Sequence, residues 1–347
     1  MLALVYHGPR DLRIEEVPTP VLGADEILLK IISASICGTD MRIYHGDHRK
    51  YPPGTIRIPG HETVGEIAAV GERVQGFSIG QRIFVAPNTG CGHCLQCISG
   101  NNNRCGNYQA VGITLDGGFA EYMRIPAAFI TQGNLLPLSN TVDPAVAALS
   151  EPFACVLRGQ EPLHIQSGDS VLVMGAGPIG IMHARLARLK GAGRILVSDP
   201  NPQRAAQAAL LGADRVVNPG QENLAEIVLA ETAGRGVDVV IVAAPSHIAQ
   251  EQALQLAGIG GRINFFGGLP KDNPTIRFDS NLVHYKELLV TATTACSTLD
   301  CWRAAEIINS GRIDLAPVIS ARLPLKDALH AFAMMEEGSS LKIVLQP

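Results

Sequence analysis

Four of the eight cysteines in this chain fall within fifteen positions, in the stretch GCGHCLQCISGNNNRCG. Cys91, Cys94, Cys97 and Cys105 are spaced C-x2-C-x2-C-x7-C. Four thiolates on one tight loop can wrap a tetrahedral Zn²⁺ with no open position, as in a structural site, whereas catalysis needs a vacancy for water or substrate. An iron–sulfur cluster is the competing reading, but the nearest ferredoxin run has a shorter last gap and a following Pro, both missing here. Unligated thiols are the third reading. Reaction chemistry is therefore to be sought on more dispersed residues: Cys37 in ICGTD, His61 and Glu62 in PGHETVGEIAAVGERV, and Glu151 in LSEPFA. A thiolate, an imidazole and one or two carboxylates would leave Zn²⁺ an exchangeable fourth position. Each also has an ordinary reading: a Cys after an apolar strand as core, a His-Glu pair as a turn, an acid before Pro as a helix start.

A second chemical signal is GAGPIG, Gly175 to Gly180, which directly follows the apolar run VLVM and opens a helical pattern. Gly175 allows a tight turn, Gly177 lets backbone approach a pyrophosphate, and Gly180 lets the helix pack close on the sheet, while the helix N-terminus offers free N–H groups to the anion. Nineteen residues after Gly180, Asp199 ends the next strand pattern. Its carboxylate would accept hydrogen bonds from the adenosine ribose and repel a 2′-phosphate, which favours NAD over NADP. Arg204 is read as packing on the adenosine end. The alternative is an ordinary Gly-rich turn.

These residues need two different scaffolds. From Val5 to about Ile130, short β-rich runs such as EILLKIIS, TVGEIAAVG and QRIFVAP are broken by Gly and Pro, which indicates a largely antiparallel lobe. DPAVAALSEPFACVLRG is Ala-rich with helical period. From Asp169 on, strand and helix patterns alternate, with ADRVVNP, VDVVIVAAP and GRINFFGG as strands and IAQEQALQLAG as a helix, and this implies a doubly wound parallel sheet. The tail reads as two helices, CWRAAEIINSG and LKDALHAFAMMEEG, then a strand, LKIVLQP, returning to the first lobe. The expected domains are 1–152, 153–292 and 293–347. With 46% hydrophobic and 17% charged residues and a net charge of −4, the composition is that of a globular protein and offers no basic field for nucleic acid or lipid. The N-terminal stretch lacks the pattern of a signal peptide and no apolar run reaches a membrane-spanning length of about 18–20 residues, so a cytoplasmic protein is expected. In a reducing compartment, clustered cysteines favour metal over disulfides.

In this order, CGTD, GHETVGEIAAVGERV with its spaced Gly65, Gly71 and Val74, the four-cysteine lobe, DGGFAEY and GAGPIG resemble the zinc-containing medium-chain alcohol and polyol dehydrogenases over essentially the whole chain. The resemblance implies an α/β protein with a GroES-like, mainly-β catalytic domain and a Rossmann NAD-binding domain. It also implies two zinc ions per chain. Cys37, His61 and Glu151 then correspond to the catalytic zinc ligands, and Glu62 to an alternating ligand or holder of the metal's water. The acid at 151 is similar to the polyol branch. Thr39 takes the place of the hydroxyl that passes on the alcohol proton. Besides the glycines, Pro178, Ile179, Phe266, Gly267, Gly268 and Thr293 correspond to cofactor contacts, and Tyr44 and Phe119 to pocket walls.

Three departures stand out. Arg42 occupies the position where the family often has a relay His, and Ala295 aligns with an Arg that sorbitol-type enzymes place near the nicotinamide. RIYHGDHRK puts Arg42, His45, His48, Arg49 and Lys50 on a loop, either a solvated face or a site for an anionic substrate such as a sugar phosphate. The resemblance implies an NAD-dependent zinc dehydrogenase of a polyol or sugar-derived secondary alcohol, with a phosphorylated polyol or L-threonine as alternative substrates. A non-catalytic nucleotide-binding protein and a zinc-free quinone reductase are the rivals. It also implies a small-molecule substrate and a homo-oligomer, a tetramer or dimer, without nucleic-acid or membrane partners.

Overall fold

The computed structural model describes residues 1–338 and 340–347. Two compact units are present, one made of Met1–Ala154 with Cys296–Pro347, the other of Cys155–Ala295.

The first unit is built on a seven-stranded sheet in the order Ile319–Pro324, Lys342–Gln346, Ile27–Ser35, Glu62–Val70, Arg82–Val85, Leu135–Pro137, with Tyr122–Ile125 also pairing with Ile27–Ser35. Its pairings are antiparallel except between Ile319–Pro324 and Lys342–Gln346, which run parallel. Ile319–Pro324 is a strand that the apolar pattern does not reveal, because half its side chains face solvent (burial alternates along ISARLP). Leu4, Ile27, Leu29, Ile67, Ile83 and Phe129 fill the core of this unit.

The Ala-rich stretch is two helices, Pro144–Ala148 and Ser150–Gln160. Pro152 has no N–H to give the carbonyl of Ala148, so the first helix stops, and Pro is tolerated in the first turn of the second. The tail folds into the expected helices, Thr298–Asn309 and Ala328–Glu337. The first opens with a reciprocal capping box between Ser297 and Asp300. RIYHGDHRK is not all loop: Arg42 and Tyr44 belong to the helix Gly38–Tyr44 and His45 caps it.

The second unit carries a six-stranded parallel sheet in the order Arg215–Val217, Arg194–Ser198, Ser170–Met174, Val237–Val242, Ala257–Phe265, Leu289–Ala292. The strand expected at GRINFFGG begins earlier, since the preceding helix, His247–Leu256, ends before Ala257. The half-exposed Leu289–Ala292 is again a strand the apolar pattern missed. Among the described residues, no helix is long and apolar enough to cross a membrane.

His183 is fully buried on the helix Pro178–Leu189, with its ring edge-on to Phe266 at 4.8 Å and Nδ1 3.2 Å from Gln160 Nε2. Burial, followed by the charge of Lys190, holds its imidazole down to about 3, against an ordinary 6.5. The unfolded chain therefore binds the extra proton first. The contribution of neutral His183 to stability is whole above pH 6.5 and is lost as pH falls toward 3. Between pH 6.5 and 5, the wild type should lose about 2 kcal/mol more than His183→Leu in urea unfolding. Parallel pH curves for the two proteins would refute this.

Candidate functional site: a metal centre and a dinucleotide turn

In the cysteine loop, the sulfur atoms of Cys91, Cys94, Cys97 and Cys105 all lie within 4.8 Å of one another. Cys94 Sγ stands 3.5 Å from Cys97 Sγ and 3.7 Å from Cys105 Sγ. Backbone N–H groups point at the sulfurs, from Cys91 and Asn107 to Cys105 Sγ at 3.3 Å each and from Cys94 to Cys91 Sγ at 3.4 Å. Such donors from His93 and Cys94 pull the Cys91 thiol down to about 6, whereas burial pushes Cys97 up. Four sulfurs this close ionise together only around a cation, so the donor set fits Zn²⁺. It is a closed, structural zinc site.

The second donor set is assembled by sheet register. Cys37 lies just past the strand Ile27–Ser35 and caps the helix Gly38–Tyr44, while Ser35 pairs directly with Glu62 on the neighbouring strand. His61 precedes Glu62 and follows Gly60, whose φ of +95° turns the chain under the Phe119 ring, where a Cβ would sit 2.6 Å from a ring carbon. The ligand atoms of Cys37, His61 and Glu62 fall within 4.8 Å of one another. A thiolate, an imidazole and a carboxylate, mostly buried, fit Zn²⁺ with room for substrate, and these three form the catalytic zinc site.

Residues around this set were not foreseen from the sequence. Asp40, only 1% exposed, accepts the Cys37 N–H at 2.8 Å through Oδ2 and turns Oδ1 to His61 Nδ1 at 3.4 Å. Burial opposes charge on His61, but Asp40 and Cys37 prevail and raise its pKa well above the ordinary value. A carboxylate behind a metal-binding His fixes its tautomer and orientation. Asp40→Asn should therefore weaken zinc retention about 10–100-fold in chelator competition, and unchanged zinc release would refute the role. Lys342, 3% exposed, places Nζ 2.6 and 2.5 Å from the two carboxylate oxygens of Glu62 and 3.0 Å from the Ile36 carbonyl. The hydroxyl of Ser35 donates to Glu62 as well. Burial alone would lower the Lys342 pKa, but Glu62 and Cys37 raise it.

Glu151 stands apart from the compact trio. It is 6% exposed, and its Oε1 accepts from the Cys296 thiol at 3.5 Å. Its pKa is raised by burial, with His61 pulling it down and Glu62 pushing it up, so it lies within reach of their charges. Thr39 sits on the helix Gly38–Tyr44, where its hydroxyl accepts from Arg42 Nη2 at 3.1 Å. Phe119 has no exposed surface and packs on Gly60 and Phe332, so it backs the His61 turn rather than facing solvent. The Tyr44 ring lies against Phe332 at 5.7 Å and under the Arg10 guanidinium.

In the second unit, GAGPIG joins the strand Ser170–Met174 to the helix Pro178–Leu189, with Gly177 as N-cap, Pro178 in the first turn and Ile179 after it. A Cβ on Gly180 would lie 1.8 Å from the Gly175 carbonyl oxygen, so only glycine allows this helix approach, whereas a Cβ on Gly177 would meet nothing within 4 Å. Such open space beside a helix N-terminus would admit a pyrophosphate. Asp199 directly follows the next strand and is fixed by the N–H groups of Ala176 at 2.7 Å and Asn201 at 2.8 Å. Arg204 lies one turn into the following helix, Pro202–Leu210. The N–H groups of Phe266 and Gly267 both donate to the Val242 carbonyl, and Gly268 is uncrowded. Thr293 Oγ1 is buried without a hydrogen-bond partner, an unmet polar atom that suits a ligand amide.

Two family models match the chain, the alcohol dehydrogenase GroES-like domain at residues 23–136 and the zinc-binding dehydrogenase at residues 178–310. An L-threonine 3-dehydrogenase of Edwardsiella ictaluri is 36% identical over 334 residues, 95% of this chain and 94% of that protein. Among solved structures, a zinc-binding dehydrogenase from Sinorhizobium meliloti bound to NADP superposes with a TM-score of 0.90 at 30% identity, over 100% of this chain and 99% of that one. An alcohol dehydrogenase from Escherichia coli complexed with NADH matches over the same shares with a TM-score of 0.90 at 28% identity. The two zinc-binding donor sets, the dinucleotide turn and these likenesses agree: the chain belongs to the zinc-binding medium-chain alcohol dehydrogenase family and is a zinc-dependent, NAD(P)-linked dehydrogenase acting on CH–OH groups.

Proposed function

We propose that this enzyme interconverts a polyol or sugar-derived secondary alcohol with its ketone, using NAD. The observation that carries this is the trio Cys37, His61 and Glu62, with Asp40 behind the imidazole and the Thr39 hydroxyl two residues past the thiolate. When bound, Zn²⁺ supplies Lewis acidity toward the alcohol oxygen and the dinucleotide accepts hydride. Cys37 and His61 would hold the metal, with Glu151 as the further ligand and Glu62 as the alternating carboxylate. Asp40 keeps the imidazole oriented. The Thr39 oxygen would accept the alcohol proton while its own hydroxyl hydrogen leaves to solvent water, so Thr39 carries no net charge. Gly177 would admit the pyrophosphate, with Gly175 making the tight turn and Gly180 letting the helix pack close, Asp199 would accept from the ribose, and Ile179, Phe266, Gly267, Gly268 and Thr293 would border the rest of the cofactor. Asp199 supports NAD over NADP, with Arg204 packing on the adenosine end.

A second substrate, L-threonine, is favoured by the 36% identity to an L-threonine 3-dehydrogenase across 95% of the chain. The test is NAD reduction with sorbitol, L-iditol, sorbitol 6-phosphate and L-threonine. Turnover of a polyol supports the proposal, turnover of threonine alone replaces it with the second reading, and turnover of none overturns both. We also propose a cytoplasmic homo-oligomer, a tetramer or dimer, for which a monomeric mass in light scattering would be decisive against assembly.

A further inference from the structure

The helix Gly38–Tyr44 presents Thr39 and Arg42 three positions apart on one face. Helical side chains lean toward the N-terminus, so the Arg42 guanidinium is carried toward the end where Cys37 stands. There it donates from Nη2 to Thr39 Oγ1 at 3.1 Å, and its remaining N–H donors are uncommitted.

The segment 42–50 carries three exposed cations, Arg42, Arg49 and Lys50, against one exposed carboxylate, Asp47. Among the described residues, Arg42, Arg49 and Lys50 are exposed and make no ion pair. Glu336 is engaged by His45 at 2.8 Å and Arg10 at 3.4 Å. Asp40 is buried and turned to Cys37 and His61. The positive field reaches inward. His48 is held down to about 4, first by its burial and then by Arg42, so it adds no cation of its own. Its ring packs edge-on to Tyr51 at 5.9 Å, the Tyr51 hydroxyl donates to the Gly112 carbonyl, and Gly112 lies against Gly60, the neighbour of His61. The basic segment and the zinc site are thus joined by continuous packing.

An arginine fork fixed by one nitrogen, without a carboxylate partner and beside the group that receives the alcohol proton, has the form of an anion receptor. We propose that Arg42 binds an anionic group, a carboxylate or a phosphate, carried by the alcohol substrate, and so sets the substrate class. This rests on the zinc dehydrogenase reading above and narrows it.

The test compares matched alcohols on the zinc-loaded enzyme, sorbitol against sorbitol 6-phosphate and 2,3-butanediol against L-threonine and 3-hydroxybutyrate. In the wild type, kcat/KM favours the charged member of at least one pair. In Arg42→Met that preference falls about 10–100-fold, chiefly through KM, and Arg42→Lys keeps part of it because it retains the charge but not the fork. Inorganic phosphate and malonate, titrated calorimetrically into the same proteins, bind the wild type and lose affinity in Arg42→Met, and the tighter of the two tells phosphate from carboxylate. A wild-type preference for neutral alcohols, an equal loss on both members of each pair, or anion binding untouched by Arg42→Met would overturn the proposal. If no alcohol is turned over, the functional reading fails, while the calorimetry still decides whether Arg42 is an anion site.

Discussion

Lys342→Met is expected to destabilise the protein by about 3–5 kcal/mol, because it leaves the buried Glu62 carboxylate without the cation that contacts both its oxygens. Methionine fills similar volume, so the loss is electrostatic rather than a cavity. Urea unfolding of the zinc-stripped protein measures it directly, since Zn²⁺ beside Glu62 would partly replace the missing charge. Lys342→Met combined with Glu62→Gln removes both charges and should recover most of the loss. Equal stability of Lys342→Met and wild type would show that water reaches Glu62 and that the pair is not a closed one.

Cys37→Ala is expected to cut NAD-dependent alcohol turnover by at least about 10³-fold, since Lewis-acid stabilisation of the alcohol oxygen is worth several kcal/mol. Zinc content should fall from two per chain to one, because the four sulfurs of the cysteine loop do not involve Cys37. Thermal unfolding should change far less than activity. The converse holds for Cys97→Ser, which opens the closed site and should loosen the loop from Gly90 to Gly106. If Cys37→Ala kept both zinc ions, Cys37 would not be a ligand.

Much of this was legible because some chemistry is written contiguously. The four cysteines lie in one loop and GAGPIG in one turn, so spacing alone narrows what they can hold to a few readings. The rest depends on strand register, which a local pattern does not carry. Ser35 meets Glu62 because two antiparallel strands pair there, and Lys342 arrives because Val344 on the last strand pairs with Ser35 from the other side. One signal was present: a lone Lys at the head of the apolar run KIVL implies a buried charge in need of a partner. Asp40 had a signal too, standing three residues after the helix-capping Cys37, where a carboxylate bonds back to the cap N–H. Cys296 beside Glu151 had none, since 145 residues separate them. The strands Ile319–Pro324 and Leu289–Ala292 went unread because edge strands with one wet face lose the continuous apolar run by which buried strands are recognised.

The pairing of the last strand with Ile27–Ser35 also sets an order of events during synthesis. Cys37, His61 and Glu62 leave the ribosome early, whereas the ammonium that balances Glu62 is 280 residues behind it. At about 5–20 residues per second, the nascent chain carries that carboxylate for some tens of seconds before its counter-charge exists. The cysteine loop, by contrast, is complete once residue 105 has emerged. The ribosome thus delivers a chain whose structural metal site can close early and whose catalytic site stays immature until Lys342 follows, 280 residues after Glu62.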